Sequence, residues 1–302
     1  MEKVYMYVHV PRTGGTYFES SGPNPTSREN DDYLYHYKYV DRWSDYEYTF
    51  KDITMLAFRS KAQQTKLKLL SGHSIFSQSH KWLRIHRQPI LLTTIRNPIE
   101  RVLSSFNYRY SKMMLRQDQT AFSRQTPSME DWAVRQNKGP EDYDTLYEWY
   151  QDATAEHNLQ CKWIVKTFLK YDNYSWKEHP AYLQGPDQLE QNIDLLATTW
   201  PEIFYEVTPE IQKVDWFDLA SRFLSRFWWI GTTDTLTQDT KDFYQLIELP
   251  HKETGSRNNH PEIKPYWTLE DVMAQPDIGQ LLKAEQYDVK LYDRVKKFKR
   301  PF

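Results

Sequence analysis

Four short and mainly apolar segments mark the positions of predicted strands along the chain. They cover residues 5–10, 67–70, 89–95 and 227–231, and all except 67–70 are rich in β-branched or aromatic side chains. Apolar runs of strand length are typical of strands that are buried on both faces, as in a parallel sheet. Glycine or polar residues follow these runs, so we expect the strands to end there.

Apolar residues at helical spacing predict helices over residues 153–170, 189–200, 236–249 and 288–298, and a capping pattern at 128–131 predicts the start of another. This alternation favours an α/β fold, with a central parallel sheet of about four or five strands flanked by helices. We expect one domain over residues 1–302 with a helical subregion at 128–200. We also expect an insertion rich in Tyr at 26–52, which resembles no known motif.

The first predicted strand leads directly into the sequence Pro-Arg-Thr-Gly-Gly-Thr at residues 11–16. Glycines let backbone N–H groups approach a ligand, and the helix that follows adds its positive dipole end. The groups predicted to hold an anion are the side chain of Arg12 and the backbone N–H groups of Thr13, Gly14, Gly15 and Thr16. The sequence is not a Walker A motif, because no Gly-Lys-Ser/Thr follows, and an ordinary tight turn uses the same residue types.

A second corner follows the third predicted strand. Arg96 ends that strand, Asn97 is placed to cap the next helix, and Pro98 suits the first turn of that helix. Ser104 then lies about two turns along the same helix. Ligands of open α/β sheets bind at the carboxyl ends of the strands, so two such corners indicate a ligand with two separate anionic groups.

The two motifs, 11–16 and 96–104, resemble the cofactor motifs of sulfotransferases that use adenosine 3′-phosphate 5′-phosphosulfate (PAPS). The similarity is greatest to the carbohydrate branch, which includes heparan sulfate 2-O- and 6-O-sulfotransferases, and the clear matches cover about 30 residues. The resemblance implies a fold like that of the P-loop-containing nucleotide hydrolases. It also implies that the first loop, with Arg12, holds the 5′-phosphosulfate and that Arg96 and Ser104 hold the 3′-phosphate. The family usually has Lys where this chain has Arg12.

The resemblance also indicates a catalytic base. A Gly-His pair between the two cofactor motifs supplies the base in the 2-O-sulfotransferase-like branch, and here His73 follows Gly72. An imidazole titrates near neutral pH and suits that task, although a turn residue bonded to a nearby carbonyl would have the same sequence. His9 and Glu19 are weaker alternatives for the base, because His9 suits a structural role and Glu19 lies one helical turn after the glycine turn.

A polar loop near the carboxyl end adds a last candidate. In the family a comparable basic loop covers the nucleotide, so Arg257, within residues 251–261, is predicted to bind the cofactor. A solvated surface loop would have the same composition.

Charge and composition limit the kinds of partner, cofactor and cellular location that we expect for this chain. A net charge of −2 argues against a general nucleic-acid binder, and the single cysteine, Cys161, excludes an internal disulfide. No apolar run approaches the ~20 residues of a membrane span, so we expect a cytoplasmic enzyme without membrane association. No grouping of His, Cys and carboxylates has metal-ligand spacing, and we expect no metal cofactor.

Aromatic residues make up 16% of the chain, and many of the Tyr residues lie among acidic ones. Such segments suit the walls of a polar pocket or a surface on which a sugar stacks. We therefore expect transfer of a sulfuryl group from PAPS to a hydroxyl, or less favourably an amine, of a small natural product or a saccharide. The product would be adenosine 3′,5′-bisphosphate. Two alternatives stay open, an ATP-dependent phosphotransferase with the same loop and an inactive nucleotide-binding relative.

Overall fold

A computed structural model describes residues 3–22, 35–37, 68–72, 75, 77, 87–116, 138–153, 156–169, 214–253 and 263–298. These residues form an α/β fold around a parallel sheet of five strands. The strands are β1 (Lys3–Val8), β2 (Tyr35–Tyr37), β3 (Leu69–Gly72), β4 (Gln88–Ile95) and β5 (Phe227–Thr232). Their order across the sheet is β2-β3-β1-β4-β5. The predicted parallel sheet is confirmed.

The four predicted strands form with shifted ends. The first runs over residues 3–8 and not 5–10, because the N–H of Val10 turns back to the carbonyl of Val8 and leaves the ladder. The second lies two residues later than predicted, at 69–72. The short strand β2 was not predicted, since three residues inside the Tyr-rich segment give no periodic pattern.

The helices are α1 (Gly15–Ser20), α2 (Pro98–Arg116), α3 (Leu146–Asp152), α4 (Leu159–Leu169), α5 (Trp216–Leu224), α6 (Leu236–Leu246), α7 (Leu269–Met273), α8 (Ile278–Ala284) and α9 (Gln286–Val295), with a 3₁₀ turn at Pro140–Asp142. The predicted helices at 153–170, 236–249 and 288–298 correspond to α4, α6 and α9. Helix α4 begins later, at Leu159, where Asp288 caps it by accepting from the backbone N–H groups of Gln160 and Cys161. The helix at 189–200 and the capping pattern at 128–131 lie outside the described residues.

Strand β1 shows how the sheet divides the core. Val4, Met6 and Val8 pack on one face with apolar residues of α4, α5 and α9. Tyr7 points to the other face, where its ring stacks at 3.9 Å on Phe18 of α1, beside α6. Because both faces of the central strand are covered, the runs that encode the sheet are apolar almost throughout.

A second apolar cluster lies among helices and not on the sheet. It joins α2, α3, α7 and α8, with Phe106 edge-on to Trp149 and stacked on Trp267. Helix α3 falls within the predicted helical subregion at 128–200, whereas α4, from the same region, packs against the sheet. Among the helices described, none is both long enough and apolar enough to cross a membrane.

Candidate functional site

Both predicted corners lie at the same edge of the sheet. Strand β1 pairs with β4 over six residues, from Lys3 beside Gln88 to Val8 beside Thr93, so the segments after the two strands emerge side by side. The chain places β2 and β3 on one side of β1 and β4 and β5 on the other. The carboxyl ends of β1 and β4 therefore flank the point where the strand order reverses, which is where ligands of such sheets bind.

The turn after β1 has an unusual backbone. Arg12 has a φ of 65° and Gly14 has a φ of 87°, both in the left-handed region. A non-glycine residue there is uncommon and costs on the order of 1 kcal/mol or more. The surrounding contacts must therefore hold Arg12 in place.

The two glycines are also required by close packing. A Cβ atom on Gly14 would lie 2.3 Å from Leu236, and one on Gly15 would lie 2.1 Å from the ring of His9. Helix α1 begins at Gly15, so the N–H groups of Gly15 and Thr16 have no acceptor within that helix. The turn thus presents backbone donors at the carboxyl edge of the sheet.

The side chain of Arg12 crosses from the first corner to the second. Its Nη2 donates to the backbone carbonyl and to the Oγ of Ser104, each at 3.2 Å. Its guanidinium lies over the ring of Tyr108, 4.1 Å from the centroid. Burial lowers the pKa of Arg12 to about 10, and the nearby charge of Arg96 adds to this, so the group stays protonated at neutral pH. The Nε atom is buried and has no hydrogen-bond partner in the part of the chain that the structure describes.

Arg96 is fixed mainly through its backbone. Its N–H donates to Gln160 Oε1 at 2.7 Å, and its carbonyl accepts from Gln160 Nε2 at 3.0 Å. The side chain is 29% exposed, and its Nε donates to Glu100 at 3.1 Å. Asn97 accepts from the N–H of Ile99 at 3.0 Å, which confirms the predicted cap of α2.

A buried ionic cluster beneath this edge was not predicted. The carboxylate of Glu156 accepts from Arg101, Ser105 and Arg109, which lie on one face of α2. Arg101 also contacts Glu285 at 3.5 Å, and both side chains are fully buried. The repeat of Arg101, Ser105 and Arg109 at a spacing of four residues signals a polar helix face, but nothing in the sequence names its partner.

His9 and Glu19 face each other inside the protein. His9 Nδ1 lies 3.1 Å from Glu19 Oε1, and each side chain is at least nine-tenths buried. Burial, together with the charge of Arg12, lowers the pKa of His9 to about 3, so its imidazole is neutral. Because His9 also packs against Gly15, the pair joins the end of β1 to α1.

The predicted base His73 and the predicted loop residue Arg257 lie outside the described residues. Gly72, which precedes His73, ends β3, and its carbonyl accepts from the N–H of His9 at 3.1 Å. Lys252 donates its N–H to the carbonyl of Ser21, just after α1, at 2.7 Å. The contact of Gly72 lies two residues before the turn at 11–16, whereas the contact of Lys252 lies at the carboxyl end of α1.

Thr13 contributes to this turn through its backbone. Its side chain is fully buried, and its hydroxyl donates to the carbonyl of Val10 at 2.8 Å.

Over the described part of the chain, no three His, Cys, Asp or Glu side chains are grouped closely enough to hold a metal ion. A comparison with protein-family models and one with curated proteins both gave no match to this chain.

Proposed function

We propose that this chain is a PAPS-dependent sulfotransferase that transfers a sulfuryl group to a hydroxyl of a small natural product or a saccharide. The observation that carries the proposal is the contact between the two motifs, in which Arg12 of the first corner binds Ser104 of the second. Two segments that the sequence predicts to bind anions, separated by about 90 residues in the chain, thus meet at one edge of the sheet. We also assign the sheet and its first strand–turn–helix unit to the P-loop-like class on this basis.

The charges at this edge suit a ligand with several anionic groups. Arg101 and Arg109 are paired with Glu156, and Arg96 is paired with Glu100. Arg12, by contrast, has no carboxylate partner among the described residues, and its Nε is buried without an acceptor. A partly buried cation without a counterion is costly, so an anionic ligand would offset that cost.

Each group then has a role in binding. Arg12 and the N–H groups of Gly15 and Thr16 would hold the 5′-phosphosulfate, and Arg96 would hold the 3′-phosphate. The Ser104 hydroxyl accepts from Arg12, which leaves its own hydrogen free to donate to the same 3′-phosphate. Arg12 would therefore link the two anionic ends of one ligand.

Chemistry at the acceptor requires a base and stabilisation of the leaving group. PAPS supplies the sulfuryl group, and adenosine 3′,5′-bisphosphate leaves. The positive charge of Arg12 would stabilise the charge that develops on the leaving phosphate. His73, by the family resemblance, would remove the proton from the acceptor hydroxyl.

The test is calorimetric and thermal titration with adenosine 3′,5′-bisphosphate, ADP and ATP. A ligand at ~100 times its dissociation constant raises the free energy of unfolding by about 2.7 kcal/mol, which gives a clear shift in Tm. Selective binding of the 3′-phosphorylated nucleotide supports the proposal. Equal binding of ATP would favour a phosphotransferase, and no binding would refute the proposed site.

Two variants separate the roles, with a third as control. Arg96→Ala should weaken binding of adenosine 3′,5′-bisphosphate at least tenfold, because an Arg–phosphate hydrogen bond is worth about 1.5–3 kcal/mol. His73→Ala should bind normally and lose turnover. Arg222→Ala changes an Arg on α5 that pairs with Asp218 at the surface, and it should leave binding unchanged. Equal loss of binding in the first two variants would contradict this division of roles.

A further inference from the structure

Strand β4 carries two buried threonines at its carboxyl end, and their hydroxyls bind different targets. Thr93 donates to the carbonyl of Val8, within the neighbouring strand, at 2.8 Å. Thr94 donates at 2.8 Å to the carbonyl of Thr13, inside the turn between β1 and α1. Both threonines are fully buried. One hydroxyl therefore supports the sheet, and the other supports the turn.

Tyr7 fixes the direction of the Thr94 hydroxyl. The Tyr7 hydroxyl lies 2.5 Å from Thr94 Oγ1, and both groups are buried. Because the single hydrogen of Thr94 is given to Thr13, the Tyr7 hydroxyl must be the donor in this pair. A chain of two hydrogen bonds thus runs from Tyr7 through Thr94 to the turn.

The hydrogen bond to Thr13 also sets the direction of the next N–H group. In a planar trans peptide the C=O and the N–H point in opposite directions. With the Thr13 carbonyl directed at Thr94, the N–H of Gly14 points away from β4. That N–H has no hydrogen-bond acceptor among the described residues.

We propose that Thr94 is a positioning residue that fixes the Thr13–Gly14 peptide, so that the Gly14 N–H is presented to the bound anion. This inference rests on the proposed function for the identity of the anion. The orientation of the peptide can be tested without a ligand. Gly14 has a φ of 87°, but a glycine adopts negative φ values about as readily. The hydrogen bond from Thr94 therefore restrains the turn to one conformation.

The test compares Thr94→Val with Thr94→Ser, and Thr93→Val is the matched control. Valine keeps the size of threonine and removes the hydroxyl, whereas serine restores the hydroxyl. Binding of adenosine 3′,5′-bisphosphate is measured by calorimetry, and the Gly14 amide is observed in ¹H–¹⁵N spectra without ligand. We expect the Kd of Thr94→Val to rise about tenfold, which is about 1.4 kcal/mol. The Kd of Thr94→Ser and Thr93→Val should stay within about threefold of wild type.

The outcomes keep this inference apart from the proposed function. If wild type binds and both valine variants weaken binding equally, the effect is general packing and the inference is wrong. If wild type does not bind the nucleotide, the proposed function fails. The position of the Gly14 amide resonance without ligand then tests whether Thr94 fixes the peptide. A Gly14 resonance shifted in Thr94→Val but not in Thr94→Ser or Thr93→Val supports the inference, and an unshifted one overturns it. Should Thr94→Val fail to fold, Tyr7→Phe must shift the same resonance, or the inference is overturned.

Discussion

Glu156→Gln tests whether the buried ionic cluster holds helix α2 in place. One carboxylate oxygen of Glu156 accepts from Arg101 at 2.5 Å, and the other accepts from Ser105 at 2.9 Å and from Arg109 at 2.8 Å. The backbone carbonyl of Glu156 accepts from Arg101 as well, at 2.7 Å. Glutamine keeps the shape of the side chain but removes its charge. Its NH₂ group is a hydrogen-bond donor and would face the donor groups of Arg101, Ser105 or Arg109.

The expected cost follows from the burial of these groups. The Arg101 side chain is fully buried, and the Glu156 side chain is 6% exposed. Removing one partner of a buried ion pair typically costs about 3–5 kcal/mol. Arg101 keeps Glu285 at 3.5 Å, so we take the lower end, ~3 kcal/mol. At about 2 °C per kcal/mol for a chain of this size, the Tm should fall by roughly 6 °C.

Urea denaturation measures this loss, with Asp218→Asn as the control. Asp218 pairs with Arg222 at 3.0 Å on α5, but both side chains are about half exposed, and such pairs contribute at most about 1 kcal/mol. Equal losses in the two variants would refute the argument from burial.

The pH dependence of the free energy of unfolding, measured for wild type and for Glu156→Gln, gives a second check. Burial alone would raise the pKa of Glu156, but Arg101 and Arg109 outweigh it and hold that pKa below its ordinary value. The carboxylate therefore stabilises the fold at pH values above the unfolded pKa, and this stabilisation is lost as the pH falls through the folded pKa. The difference between wild type and Glu156→Gln should shrink in acid.

Three further predictions concern single residues. Arg12→Lys keeps the charge but loses the planar contact with the aromatic ring beneath it, so calorimetry should show several-fold weaker binding of adenosine 3′,5′-bisphosphate, and wild-type affinity would contradict the role of the guanidinium. Gly15→Ala places a Cβ 2.1 Å from the ring of His9 and should lower the free energy of unfolding by about 1–3 kcal/mol. Gly279→Ala in α8, whose added Cβ would have no atom of the described residues within 4 Å, should not lower it. Burial raises the pKa of Glu285 from 4.5 to about 7, so the native state binds this proton more tightly than the unfolded state does. The contribution of this group to the free energy of unfolding should therefore fall as the pH rises from 4.5 to about 7, and Glu285→Gln should remove this pH dependence.

The sheet was largely predictable because its signal is local. Each long strand is mainly apolar, and burial on both faces of the sheet produces such runs directly. The ends of the strands were less predictable, since the departure of Val10 from the ladder depends on one backbone hydrogen bond. Strand β2 has three residues, too few for any period to show.

The site was predictable only where it depends on motifs. Arg12, Arg96 and Ser104 follow from two strand-to-helix corners, and the pairing of β1 with β4 brings those corners together. The hydrogen bond between Arg12 and Ser104 was not predicted, because it depends on the rotation of α2 about its axis. Glu156 gave no signal, since it pairs with a helix that lies 47–55 residues earlier in the chain.

Two separate supports hold the turn between β1 and α1, and they act from different elements. From β4, Thr94 binds the carbonyl of Thr13. From α2, Ser104 accepts from Arg12, while Glu156 binds the neighbouring face of the same helix. A left-handed Arg12 is costly by itself, and a turn with two residues at positive φ would otherwise sample several conformations. Because both supports converge on adjacent residues of the turn, the donors are oriented before any ligand arrives, and less free energy of binding is lost in ordering them.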